Sequence, residues 1–178
     1  MNYRQLFLFV EGDDDERFFS SVVLPALLTA YDHVRFVQFS KLKKKKRRDF
    51  LRSVVAMKAD YILVCDLDRH PCATSAKDHL LRDLPHLDLD RVQIVKAEIE
   101  SWYCAGIPET HPWRSLAIGR SADTSTITKE AFEAVVLQSG QPKLPAMLAL
   151  LEGFDREAAV DRNESLRRFL RKYVPTPP

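Results

Sequence analysis

The sequence predicts an α/β fold: four parallel strands flanked by helices, followed by a C-terminal helical extension. Two observations carry this expectation. Apolar runs of strand length alternate with helix-spaced apolar patterns in the order βαβαβαβ, which implies a parallel sheet with right-handed crossovers. Two of the runs, residues 6–10 and 61–65, are apolar throughout, as strands buried on both faces are. Each run stops abruptly at an acid, and α/β sheets place ligands and chemistry at the C-terminal ends of their strands.

The first strand spans residues 5–10 and ends in Glu11-Gly12-Asp13-Asp14-Asp15-Glu16. A helix over 14–30 follows, with acids in its first turn, where the helix dipole favours them. Phe18, Phe19, Val22, Val23 and Leu27 form its apolar face, and Pro25 predicts a kink or two shorter helices. The second strand covers 34–39. A dense basic run, residues 41–48, precedes a helix over 48–58 with Phe50, Leu51, Val54 and Val55 apolar. The third strand, 61–65, ends at Asp66-Leu67-Asp68. Arg69-His70-Pro71 breaks the chain before a helix over 74–84, for which Thr74 or Ser75 is the expected cap. The fourth strand, 92–95, leads into Lys96-Ala97-Glu98-Ile99-Glu100-Ser101-Trp102.

Beyond Gly106 the signal weakens. Residues 107–125, rich in Pro, Thr and Ser, predict a loop. Thr128 is expected to cap a helix over 129–137, and two more helices are expected near 145–151 and 165–173. Residues 174–178 are expected to fray. The expected organisation is a core over 1–106 and a loop with helical extension over 107–178 packed on it, one domain overall.

The composition fits a globular chain: 178 residues, 46% hydrophobic and 29% charged, with a net charge of only +2. The distribution of charge therefore says more than its sum. Cys65, Cys72 and Cys104 have no metal-site spacing, and Cys65 lies inside an apolar strand, where a buried thiol is expected. This cysteine usage, with no targeting or membrane-spanning run in view, predicts a cytoplasmic protein.

If the first and third strands are neighbours, about 4.8 Å apart, Glu11, Asp66 and Asp68 leave the sheet at one rim. Asp15 lies one helical turn beyond Glu11, and the fourth strand adds Glu98 and Glu100 to the same region. Carboxylates gathered there repel one another unless cations join them. Mg²⁺ (or Mn²⁺) suits such a set because it takes few carboxylates and keeps waters for phosphate oxygens. The competing reading of Asp13, Asp14 and Glu16 is helix capping and solvation.

Val10-Glu11-Gly12, followed by Asp66-Leu67-Asp68 at the end of a later strand, resembles the TOPRIM domain of topoisomerases, primases, small maturation ribonucleases and overcoming-lysogenization-defect (OLD) nucleases. The likeness covers about residues 5–104. The Glu11-x-x-x-Asp15 spacing and Glu98-Ile99-Glu100-Ser101-Trp102 look most like the OLD branch and its small stand-alone bacterial relatives. The resemblance implies a Rossmann-like sheet in the order 2-1-3-4. It implies Glu11 as general acid/base or metal ligand, and Asp66 and Asp68 as the metal-binding pair. Asp15 matches an extra acid of the OLD-like pattern, and Glu98 or Glu100 a later one. A DxD pair also occurs in glycosyltransferases and haloacid-dehalogenase-type phosphatases. The dehalogenase pair stands on the first strand, whereas here it ends the third and Arg69 follows.

Residues 41–48 hold seven basic residues in eight: Lys41, Lys43, Lys44, Lys45, Lys46, Arg47 and Arg48. A solvated loop and helix start is one reading. Sequence-blind contact with a nucleic-acid backbone is the other, and a cationic segment beside an acidic rim suits it. Arg69 and His70 are further candidates for phosphate contact or proton transfer, a surface role in the turn before Pro71 being the competing reading of His70, and Lys96 is a candidate for phosphate contact. His33, His79, His86 and His111 show no metal-site spacing, and Trp102 and Tyr103 are expected in the core.

Together these features predict a Mg²⁺-dependent nuclease of TOPRIM type, in bacterial defence or nucleic-acid processing, with Glu11, Asp66 and Asp68 as the catalytic set. Two alternatives stand beside it. One is a catalytically inert binding or sensor subunit acting with a separate ATPase partner, since no ATPase domain is visible. The other is a phosphohydrolase of small nucleotides.

Overall fold

The computed structural model describes residues 3–175, so residues 176–178 of the expected frayed end lie outside it. The described residues form two compact units. The first runs to Val95 and takes in Val174, and the second is Lys96–Tyr173.

In the first unit, β1 (Gln5–Val10), β2 (His33–Gln38), β3 (Asp60–Asp66) and β4 (Val92–Val95) make one all-parallel sheet in the order β2-β1-β3-β4. Central β1 pairs Leu8 with Phe36 on one side and with Ile62 on the other. Central strands are buried on both faces, which is why β1 and β3 read as unbroken apolar runs. Phe7, Phe9, Tyr61 and Leu63 share one face with Leu51 and Val54. Leu6, Leu8 and Val10, of opposite parity, are fully buried too. Phe50 packs edge-on against Phe7 and Phe9, with ring centroids 5.8 and 5.7 Å away.

After β1 the chain forms α1 (Asp13–Phe18), a π-helical turn (Phe19–Val23) and α2 (Leu24–Leu27). Pro25 stands in the first turn of α2, so the expected break occurs through an inserted π turn. The next helix, α3 (Lys44–Ala56), begins earlier than the expected residue 48, so most of the basic run is helical. Lys and Arg are good helix formers, and the extended Lys43 starts the helix without a side-chain cap. Then α4 (Ala73–Asp83) begins after Cys72, not at a Thr74 or Ser75 cap. Cys72 supplies no side-chain hydrogen bond there.

The second unit is helical: α5 (Glu100–Ala105), α6 (Ala117–Arg120), α7 (Lys129–Ser139), α8 (Lys143–Glu152), α9 (Arg156–Arg162) and α10 (Glu164–Tyr173). Thr128 Oγ1 accepts the Ala131 N–H at 3.3 Å, the cap expected from the sequence. Residues 107–125 are not all loop: a 3₁₀ turn (Pro112–Ser115) and α6 lie within them. Trp102, Tyr103 and Cys104 of α5 are fully buried. Arg162 binds this unit together from inside. Its guanidinium donates to the carbonyls of Ala105 (2.9 Å), Gly119 (2.6 Å) and Ser121 (2.9 Å). Among the described residues no helix is long and apolar enough to cross a membrane.

Candidate active site

Parallel pairing of β1 with β3 delivers Glu11 and Asp66 to the same end of the sheet. The Asp66 backbone N–H donates to Glu11 Oε1 at 3.0 Å. Glu11 therefore reaches sideways to the neighbouring strand. The Ser40 hydroxyl, just beyond β2, donates to the Glu11 carbonyl. Three parallel strands thus converge on the residue that follows β1.

Asp68 enters by a turn. The Leu67 N–H donates to the Val95 carbonyl at 2.9 Å, and the His70 N–H closes the turn on the Leu67 carbonyl at 3.0 Å. Asp68 itself has φ 48°, in the left-handed region that Asp tolerates better than most non-glycine residues. Glu11, Asp66 and Asp68 line one open cleft of about 250 Å³. Cys65 lies beside them, and its thiol is pushed well up, first by burial and then by the charges of Glu11, Asp66 and Asp68. The buried thiol thus feels all three charges.

The other acids of the opening segment have separate structural roles. Asp15 is buried, and its Oδ2 accepts the Gly12 N–H at 3.1 Å, closing the start of α1. It does not line the cleft. Asp13 accepts from Gln38 (2.7 Å) and Lys41 (2.9 Å), which hold its carboxyl below the usual range, Lys41 contributing most. Glu16 also accepts from Gln38 at 2.7 Å, and Asp14 pairs with Arg17 at 2.5 Å. Gly12 is the N-cap, so the expected capping by Asp13 or Asp14 is replaced by a backbone start latched by Asp15.

Glu98 and Glu100 belong to the second unit and have contacts there. Glu98 accepts the Lys129 N–H at the start of α7. Glu100 is buried and ion-paired to Lys143 at 3.1 Å, which also meets Glu133 at 3.4 Å. Lys96 is exposed in the same unit.

The basic residues divide by task. Arg47 is fixed over the Phe39 ring, donating from Nε to the Leu42 carbonyl (2.7 Å) and from Nη2 to the Ser40 carbonyl (3.1 Å), and it lines the cleft. Arg48 donates to the Asp83 carbonyl at 2.6 Å, and Lys44 pairs with the Asp83 carboxylate. Lys43, Lys45 and Lys46 are exposed and make no ion pair among the described residues. Arg69, after Asp68, is exposed. Lys44, Lys45 and Lys46 crowd the first turn of α3, where the helix dipole already places positive charge, and that turn has no acid.

Glu11, Asp66 and Asp68 present hard oxygen donors, the chemistry that suits Mg²⁺ or Mn²⁺. Among the described residues no group of three or more His, Cys, Asp or Glu side chains is already spaced to hold an ion. The donor set thus fits such a cation in kind, and binding requires the side chains to draw together.

Two features escaped the sequence. His79 shows no metal-site spacing in the sequence, yet α4 and the turn after β3 bring the His70 and His79 rings to 5.2 Å, both lining the cleft. Asp83 joins the same lining from the end of α4. No family model matches the chain, and no curated protein or solved structure matches it significantly.

Proposed function

We propose that the chain is a divalent-metal-dependent nuclease of TOPRIM type, hydrolysing phosphodiester bonds of DNA or RNA. The observation that supports this best is the gathering of Glu11, Asp66 and Asp68 on one cleft, with Glu11 Oε1 tied to the Asp66 N–H. The sheet order β2-β1-β3-β4 is the one expected from the TOPRIM resemblance.

In this reading Asp66 and Asp68 hold the cation. Mg²⁺ or Mn²⁺, when bound, supplies charge neutralisation at the phosphoryl oxygens and lowers the pKa of a water. Glu11, at the rigid tip of a central strand, accepts the proton of the attacking water. Its link to Asp66 fixes the base relative to the metal-holding strand. Lys43, Lys45 and Lys46 meet neighbouring phosphates, and Lys44, Arg47 and Arg48 shape the helix start that presents them. The test is cleavage of single- and double-stranded DNA and RNA with Mg²⁺ or Mn²⁺. Cleavage is expected from the wild-type chain and not from Asp66→Ala plus Asp68→Ala. Equal cleavage by both chains rejects the assignment.

A further inference from the structure

The same cleft is also lined by groups that can donate hydrogen bonds to an anion. The turn after β3 contributes His70, α4 contributes His79 and the start of α3 contributes Arg47. The imidazole rings of His70 and His79 stand 5.2 Å apart, tilted by 44°. His70 is half-buried and its backbone is pinned by the bond to the Leu67 carbonyl, while His79 is exposed on a helix. Asp83, the acid at the end of α4, is already answered by Lys44, whose hydrogen bond is the first cause of its lowered pKa.

We propose that His70 and His79 form a phosphate-holding subsite that grips phosphate oxygens of the substrate in the cleft that Glu11, Asp66 and Asp68 also line. An imidazole carries an N–H donor even when neutral, so the pair offers two donors to one anion. Arg47 adds a guanidinium with five N–H donors, of which Nε and Nη2 are aimed at the Leu42 and Ser40 carbonyls. A phosphate oxygen accepts several such bonds at once, and donors to an anion form the stronger class of hydrogen bond. Carboxylates alone repel a phosphate, so a substrate anion entering this cleft needs donors among its other lining groups. The αL turn at Asp68 gives the pair its position: it carries a metal-holding acid and the first histidine within one short loop. The subsite rests on the phosphodiesterase reading for its role, but its binding chemistry does not.

The test uses the five histidines as their own reporters. Imidazole resonances of the full chain are followed by NMR at fixed pH and ionic strength, without divalent metal. Inorganic phosphate and dimethyl phosphate are titrated against a chloride control. The expected result is saturable shifts at His70 and His79 and none at His33, His86 and His111. Response to both phosphates marks a site for an internal phosphodiester, and response to inorganic phosphate alone marks one for a terminal phosphate. His79→Ala is expected to weaken phosphate binding about tenfold, while His79→Gln, which keeps an N–H donor, retains most of it. No shift at His70 and His79, or equal shifts at all five rings, overturns the subsite. Phosphate binding in a chain that cleaves nothing keeps the subsite and removes the nuclease; cleavage without phosphate response does the reverse.

Discussion

Glu11 and Asp66, at the ends of two neighbouring parallel strands, are joined directly: the Asp66 N–H donates to Glu11 Oε1 at 3.0 Å. The bond takes the carboxylate out of the role of a solvated strand-end acid and gives it a fixed orientation. The structural tie and the proposed role of Glu11 as base can be tested apart. Glu11→Gln keeps an acceptor for the Asp66 N–H and removes the charge. Glu11→Ala removes both. Both variants are expected to lose about 100-fold or more in cleavage rate. Glu11→Ala should lose more stability than Glu11→Gln, measured by denaturant unfolding, because the neutral hydrogen bond that Gln keeps contributes roughly 0.5–1.5 kcal/mol.

Asp68 stands at φ 48°, so its backbone and its carboxylate can be tested apart. Glycine adopts this conformation without a Cβ penalty, whereas alanine meets a cost of about 1 kcal/mol or more. Asp68→Gly is therefore expected to be more stable than Asp68→Ala by roughly that amount. Both should lose cleavage equally. Equal stability of the two variants would show that the turn relaxes out of the left-handed region.

The exposed lysines at the start of α3 predict a salt signature. Lys43→Ala, Lys45→Ala and Lys46→Ala together should reduce the slope of log affinity against log salt by about 0.9 per lost phosphate contact on duplex DNA. The loss should be the same for unrelated sequences. Fluorescence anisotropy of labelled oligonucleotides over a range of salt measures both. An unchanged slope assigns the basic run to solubility alone.

Asp13 and Asp83 anchor the same basic segment from its two sides. Hydrogen bonds from Lys41 and Lys44, respectively, hold their carboxyls below the ordinary value. A depressed carboxylate pKa contributes stability that is present above the unfolded value, about 3.9, and lost as pH falls through the folded value. These contacts should thus stay intact at neutral pH and open only below about pH 4. Carboxyl NMR should place both midpoints below the unfolded value and move them toward it in high salt, since Asp13 is exposed and Asp83 partly so.

Arg162 carries the polar core of the second unit, and burial lowers the pKa of its guanidinium. Arg162→Met fills space but leaves the Ala105, Gly119 and Ser121 carbonyls without these donors. The expected loss is about 3 kcal/mol or more in chemical denaturation. Retained stability would show that these carbonyls find other donors.

The sheet was largely legible because its strands obey simple rules. Buried central strands are apolar throughout, and the acids that end β1 and β3 mark where burial stops. The cleft trio of Glu11, Asp66 and Asp68 follows from that geometry once β1 and β3 are neighbours. The acids of residues 13–16 were less legible, because their roles depend on Gln38, Lys41 and Gly12 across or along the fold. The start of α3 was hidden by charge: the same lysines that signal a solvated loop are good helix formers. In the second unit, α9 was missed because Arg156–Arg162 is short and mostly polar. The pairing of His70 with His79 was not legible at all, since it depends on a turn and a helix meeting in space.

The most direct measurement is the position of Mn²⁺ in crystals soaked with that ion, located by its anomalous scattering. Density bounded by Glu11, Asp66 and Asp68, lost in Asp66→Ala plus Asp68→Ala, is the predicted result. Mn²⁺ bound elsewhere, or no Mn²⁺ at the cleft at millimolar concentration, contradicts a metal-dependent nuclease centred on Glu11.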